Sequence, residues 1–230
     1  MNCCNSPLRF LLWPVTALAL QGCIPDYAPD FRARLVDSDT DQPVEGAIVV
    51  AHWEILGGLE GLNPVGQAKV MEAVTDKNGV ISFPSWWRIP RELGGIQNAR
   101  PELLIFKDGY KYIRLANETR PTFMDELVLR SDWNGRTLKL ERFKGSQQAY
   151  AKELARLDSA MYFARWTGNC EWKRTPRMLV ALDRANAEFA SMGLELAPRT
   201  IHSAADVDDT KQCGSARQFF SEYLPSETNK

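Results

Sequence analysis

Residues 74–83 read Val74-Thr75-Asp76-Lys77-Asn78-Gly79-Val80-Ile81-Ser82-Phe83, and the fold class turns on this stretch. Asp76-Lys77-Asn78-Gly79 is turn chemistry: an aspartate side chain accepts from nearby amides, and Asn78 or Gly79 can take a positive φ. Before the turn, residues 70–75 have strand composition. After it, Ile81 and Phe83 alternate with Val80 and Ser82. The pattern predicts a β-hairpin.

Outward from this point the same grammar repeats. Residues 31–36 (FRARLV) alternate apolar and polar side chains, residues 37–43 (DSDTDQP) form a polar turn, and residues 47–55 (AIVVAHWEI) are β-branched and aromatic. These two runs read as paired strands. Residues 57–66 (GGLEGLNPVG) read as a glycine-rich loop. An irregular stretch holding Trp86, Trp87, Pro90 and Pro101 leads to a strand at 103–106 (LLIF), a Lys107-Asp108-Gly109 turn and a strand at 110–115. Residues 136–143 (RTLKLERF) alternate again after Asn134-Gly135. About seven short strands separated by such turns predict a small β-sandwich.

Three of these segments carry a family resemblance. The run from Arg34 through Pro43-Val44-Glu45-Gly46-Ala47 looks like an opening strand, turn and "P-V-x-G-A" second strand. Residues 74–83 look like a "T-D-x-x-G-x-F-x-F" motif, and residues 104–110 look like a later strand ending in Gly109-Tyr110. Together they resemble the carboxypeptidase regulatory-like domain, a transthyretin-like (prealbumin-like) β-sandwich, over about half of the chain. The long loops at 57–66 and 86–101 depart from it. The resemblance implies a fold and a non-catalytic module, of the kind that accompanies enzymes, adhesins or outer-membrane transporters.

The chain beyond residue 144 reads as helical. Tyr150, Leu154, Leu157 and Met161 share one face of a helix over 146–165. Thr175-Pro176 predicts a capped helix start and Gly193 its end, with Met178, Leu182, Ala185, Phe189 and Met192 on one face. A third helix over 215–224, stopped by Pro225, has Phe219, Phe220 and Tyr223 to bury. The expected fold class is therefore α+β: a seven-stranded transthyretin-like sandwich at 31–144, then a helical segment of two to three helices at 145–230.

The N-terminus reads as an address. Arg9 precedes an apolar run at 10–20 (FLLWPVTALAL) that enters Leu20-Gln21-Gly22-Cys23. A secretory signal needs about 7–15 apolar residues and small residues at the cut, whereas a bilayer span needs about 20. Leu20-Gln21-Gly22-Cys23 resembles a lipobox, the site where bacterial signal peptidase II cuts before a diacylglycerol-modified cysteine. Residues 1–22 are then a signal peptide, Cys23 the lipidation site and 23–30 a short tether. Ile24 stands where an aspartate would favour inner-membrane retention, which points to the outer membrane of a bacterial envelope.

Of the five cysteines, Cys3 and Cys4 leave with the signal and Cys23 is consumed by lipid. Cys170 and Cys213 remain, and an oxidising compartment predicts their disulfide. The alternative, a catalytic thiol with His202 as its base, lacks a nucleophile context.

Charge excludes some partners. The chain has 28 basic and 29 acidic residues, and loss of Arg9 leaves a net charge of −2, without the basic footprint of a nucleic-acid binder. His52 and His202 are too few for a catalytic zinc site, so no metallopeptidase activity, metal or other cofactor is expected. Asp37, Asp39 and Asp41 alternate like calcium ligands but read as a solvated turn. His52 and Glu54 read as an exposed strand face, and His202 with Ser203, Asp206 and Asp208 as a helix start. Trp86 and Trp87 are the candidate binding residues, since indole faces stack on sugars and anchor interfaces. The expectation is a non-enzymatic lipoprotein whose partners are the membrane, through its lipid, and another envelope protein or a glycan. The competing class is a carbohydrate- or small-ligand-binding lipoprotein.

Overall fold

The largely apolar run Ile48–Gly57, broken by His52 and Glu54, forms β3, the strand on which the rest is organised. The computed structural model describes residues 25–57, 63–89, 95–96, 101–117, 128–165, 170–194 and 211–223. Along β3 the two faces are both covered, as a near-continuous hydrophobic strand requires. It pairs antiparallel with β4 (Asn63–Val74) on one side and β8 (Glu102–Phe106) on the other. Beyond β8 lies β9 (Ile113–Leu115), and the two-residue β7 (Gly95–Ile96) flanks the end of β3.

A second sheet faces this one. Its centre is β2 (Phe31–Asp37), which pairs antiparallel with β5 (Val80–Phe83) and parallel with β10 (Thr137–Leu140). Leu35, Ile81, Phe83 and Leu140 from this sheet meet Val49, Ala51, Trp53, Leu103 and Ile105 from the other. Setting aside β7, the two facing sheets hold seven strands among the described residues. A separate antiparallel ribbon of β1 (Asp26–Ala28) and β6 (Trp86–Arg88) lies against the same core.

Two strand pairings differ from the sequence expectation. Residues 74–83 are not a hairpin: β4 belongs to the five-stranded sheet and β5 to the three-stranded one. Likewise, β2 and β3 lie in opposite sheets. A turn that reverses the chain within one sheet and a corner that carries it to the facing sheet use the same residues. Long-range partners decide between them. Here Leu35 N–H donates to Gly79 O at 2.7 Å, which pulls the corner onto β2. Buried Thr75 fixes the other side, its hydroxyl donating to Val44 O at 2.6 Å and accepting from Ala47 N–H at 2.8 Å.

The helices cover the outer face of the five-stranded sheet. Helix α1 (Gln147–Ala160) starts at Ser146, whose hydroxyl accepts from Ala149 N–H. It turns Tyr150, Leu154 and Leu157 inward and passes through Met161 into a 3-10 turn, Tyr162–Arg165. Helix α2 (Pro176–Ser191) buries Met178, Leu182 and Phe189. These side chains pack with Val50, Val70, Leu104 and Phe106 of the sheet. Helix α3 is shorter than expected, Ala216–Phe220, with Ser215 as its cap; Leu224 lies outside the described residues. Cys170 and Cys213 form a disulfide with Cα atoms 5.5 Å apart. Trp172, Leu179, Val180 and Phe220 pack around it as a small third core.

Candidate functional site

The two tryptophans singled out by sequence part company. Successive strand side chains point to opposite faces, so on β6 Trp86 turns into the molecule and Trp87 away from it. Trp86 is buried and meets Trp53 edge to face, with ring centroids 5.1 Å apart. Trp86 is thus a core residue, and only Trp87 presents a surface. Trp87 is 68% exposed, and its register partner across the ribbon is Tyr27, at 43%. Ile89, two residues beyond Trp87, is 53% exposed. On the inward face Asp26 accepts a hydrogen bond from Arg88 at 2.9 Å beside buried Ala28. Sequence reasoning missed Tyr27 because it falls within the expected tether 23–30, three residues of which are strand β1. Cys23 lies outside the described residues, two positions before the first of them, Pro25.

His52 is the second candidate, and the structure corrects its exposed placement. It is 3% exposed, because the 3-10 turn after α1 lays Phe163 on its ring at 4.3 Å between centroids. Its Nδ1 faces Gln67 Oε1 at 3.0 Å and its Nε2 faces Glu102 Oε1 at 3.3 Å. Arg114 grips the same carboxylate through both oxygens, at 2.7 and 2.9 Å. Burial works to raise the Glu102 carboxyl, but hydrogen bonds from His52 and Arg114 outweigh it and hold it below the ordinary glutamate range. Glu54, the half-buried partner on the same strand face, is raised by burial, partly offset by His52. The chemistry of this cluster is cohesion: His52 lies sealed between sheet and helical layer, with both ring nitrogens engaged.

The aspartate loop is also tied up internally. Asp37 is buried at 2% exposure, not solvated. It takes hydrogen bonds from the amides of Asp39 and Thr40, the Thr40 hydroxyl and the Tyr110 hydroxyl. Arg142 adds an ion pair at 2.7 Å while lying over the Tyr110 ring. Burial alone would raise the Asp37 carboxyl, yet these donors bring it down to about 2. The side chains and amides of the protein itself thus occupy its lone pairs. Asp39 pairs with Lys144 and Asp41 with Lys139. Among the described residues no group of three or more His, Cys, Asp or Glu is arranged to hold a metal. His202, Ser203, Asp206 and Asp208 lie outside the described residues.

A concavity opens where the start of β3 and the end of β8 meet α2. It has a volume of about 320 Å³ and is lined by Ile48, Phe106, Lys107, Arg184 and Glu188, among others. Opposite charges, Lys107 and Arg184 against Asp108 and Glu188, share its lining.

No protein-family model matches the chain, and no curated protein matches it. Among solved structures it is similar to 3-chlorocatechol 1,2-dioxygenase from Rhodococcus opacus 1CP, at 17% identity over 51% of this chain and 61% of that one, with a TM-score of 0.30. It is also similar to the pilus 2b backbone protein of group B streptococcus, at 16% identity over 50% and 41%, TM-score 0.23. A 9R-lipoxygenase from Cyanothece PCC8801 is similar at 14% identity over 90% of this chain and 32% of that one, TM-score 0.26. The chain spans less than two thirds of each of these proteins, and likenesses of this degree carry no functional argument.

Proposed function

We propose that this protein is a bacterial envelope lipoprotein, anchored through acylated Cys23 at the outer membrane, whose sandwich is of the carboxypeptidase regulatory-like, transthyretin-like kind. It acts without catalysis, as a structural or protein-interaction module. The observation that carries the reading is Leu20-Gln21-Gly22-Cys23 at the end of an 11-residue apolar run, followed after Ile24 alone by Pro25 and the folded ribbon. The engagement of His52, Glu102 and Asp37 in internal contacts supports the non-catalytic part. A second reading, a glycan- or small-ligand-binding lipoprotein, is favoured by one observation, the outward indole of Trp87.

The test is the mass of the N-terminal peptide of protein purified from membranes, beside a Cys23→Ser form. A diacylglycerol adduct on Cys23, with Cys23→Ser released from membranes or retained as uncut precursor, is the expected result. An unmodified Cys23 in membrane-derived protein would overturn the reading. Pull-down of the lipidated protein from solubilised membranes then identifies the envelope partner, and a screen of hydrolase substrates with saturable turnover would overturn the non-catalytic assignment.

A further inference from the structure

We propose that the outward face of the β1–β6 ribbon, Tyr27 and Trp87 with Ile89, rests in the headgroup layer of the membrane that holds the Cys23 lipid; this rests on the lipoprotein reading above. Of the six large apolar side chains that stand exposed among the described residues, three gather here: Tyr27, Trp87 and Ile89. Their placement is built rather than incidental. Tyr27 and Trp87 are register partners, so both leave the ribbon on one side, while Ala28 and Trp86 fix its other side to the core. Asp26 and Arg88 neutralise each other at 2.9 Å.

Chain length decides what this face meets. Tyr27 follows Cys23 by four residues, and an extended chain gains at most about 3.6 Å per residue. The ribbon therefore lies within about 14 Å of the acylated cysteine, less than half the roughly 30 Å hydrocarbon thickness of a bilayer. A tether this short holds the face against the lipid surface. Tryptophan and tyrosine, apolar in the ring and polar at one edge, are the side chains enriched at that depth. A glycan platform would use the same indole, but it would have to compete with a bilayer held beside it by a covalent link. Acyl chains alone fix the protein to a membrane without orienting it. Seating the ribbon sets which way the sandwich and helices face.

The purified lipidated protein, reconstituted in phosphatidylethanolamine–phosphatidylglycerol vesicles containing brominated phosphatidylcholine, gives the test. Tryptophan emission is expected to be quenched by the brominated chains, the quenching to vanish in Trp87→Phe and to persist in Trp172→Phe, whose indole is buried beside the disulfide. Circular dichroism confirms that each variant is folded. Protein that floats with the vesicles through its lipid while Trp87 stays unquenched would overturn the ribbon proposal and leave the anchor standing. An intact mass showing no lipid on Cys23 would overturn both. Trp87 emission that ignores bromolipid but shifts with soluble peptidoglycan fragments would assign the face to a glycan instead.

Discussion

Glu72, on β4, closes the first turn of α2: its carboxylate accepts from the Met178 amide at 2.8 Å and from the Arg177 amide at 3.0 Å. Helix starts leave amide donors unpaired, and the local candidate, Thr175, makes no side-chain cap bond. A residue more than a hundred positions away supplies the cap and joins the sheet to the helical layer. Burial raises the Glu72 carboxyl despite the two amides and Arg177 that favour its charged form.

Removing this cap should therefore weaken the docking of α2. Glu72→Ala is expected to destabilise by about 1–2 kcal/mol, the range of lost caps. Glu72→Gln sheds the cost of burying a charge but keeps only one of the two acceptor oxygens and turns its NH2 towards the other amide, so it should lose part of the cap and less than Glu72→Ala. Urea denaturation at neutral pH followed by far-UV circular dichroism reads the difference. Equal losses for the two variants would show that the cap needs both carboxylate oxygens and that one acceptor is worth nothing alone.

Asp37 sets an acid limit. Its folded-state pKa, about 2, lies below its ordinary value of 3.8. A depressed pKa contributes stability that is fully present above the ordinary value and is lost as pH falls through the folded one. The window is therefore about pH 4 down to 2. Asp37→Asn lacks this proton-linked part, so the wild-type advantage in thermal midpoint should be constant above pH 4 and shrink steadily below it. A gap that stays constant down to pH 2 would mean that Asp37 acts only through shape.

The Cys170–Cys213 disulfide closes a separation of 43 residues. The chain-entropy account gives such a loop about 4 kcal/mol, and measured bridges commonly deliver about 2–4. A Cys170→Ser, Cys213→Ser double variant should melt at lower temperature and lose near-UV signal from Trp172, which packs on Phe219 and Phe220 beside the bridge. Reductant should lower the wild-type midpoint and leave that of the double variant unchanged.

Local chemistry was legible in the sequence, and partnership was not. Turn residues around Asp76 and Gly79 and the helix faces of Tyr150 and Met178 follow from short-range pattern, and the Cys170–Cys213 pair from the count of cysteines left over. Sheet membership does not, because a corner and a hairpin share their residues and only Leu35 and Val44, far back in the chain, tell them apart. His52 was misplaced for a related reason. Strict alternation on one buried face would put it outside, but residues 47–55 are apolar almost throughout, the sign of a strand covered on both sides. At the candidate site, Trp87 was visible as an aromatic in a loop. Its partner Tyr27 was not, since three residues inside the expected tether 23–30 become a strand only by pairing with β6.

Two glycines separate backbone conformation from close approach. Gly79 and Gly109 have nearly the same positive φ, 74° and 76°. A Cβ on Gly109 would meet nothing within 4 Å, whereas one on Gly79 would lie 2.3 Å from Leu35 O and 3.2 Å from Val44 N. Gly109→Ala should thus cost only the left-handed conformation, about 1 kcal/mol. Gly79→Ala must also push the corner off β2, breaking the line where Leu35 O accepts from Val44 N–H at 3.0 Å. Its cost should reach about 2–4 kcal/mol, in the upper range for single substitutions. Denaturant midpoints of the two variants measure the difference directly. Equal costs would mean that the corner yields freely and that the sheets are not held together through Gly79.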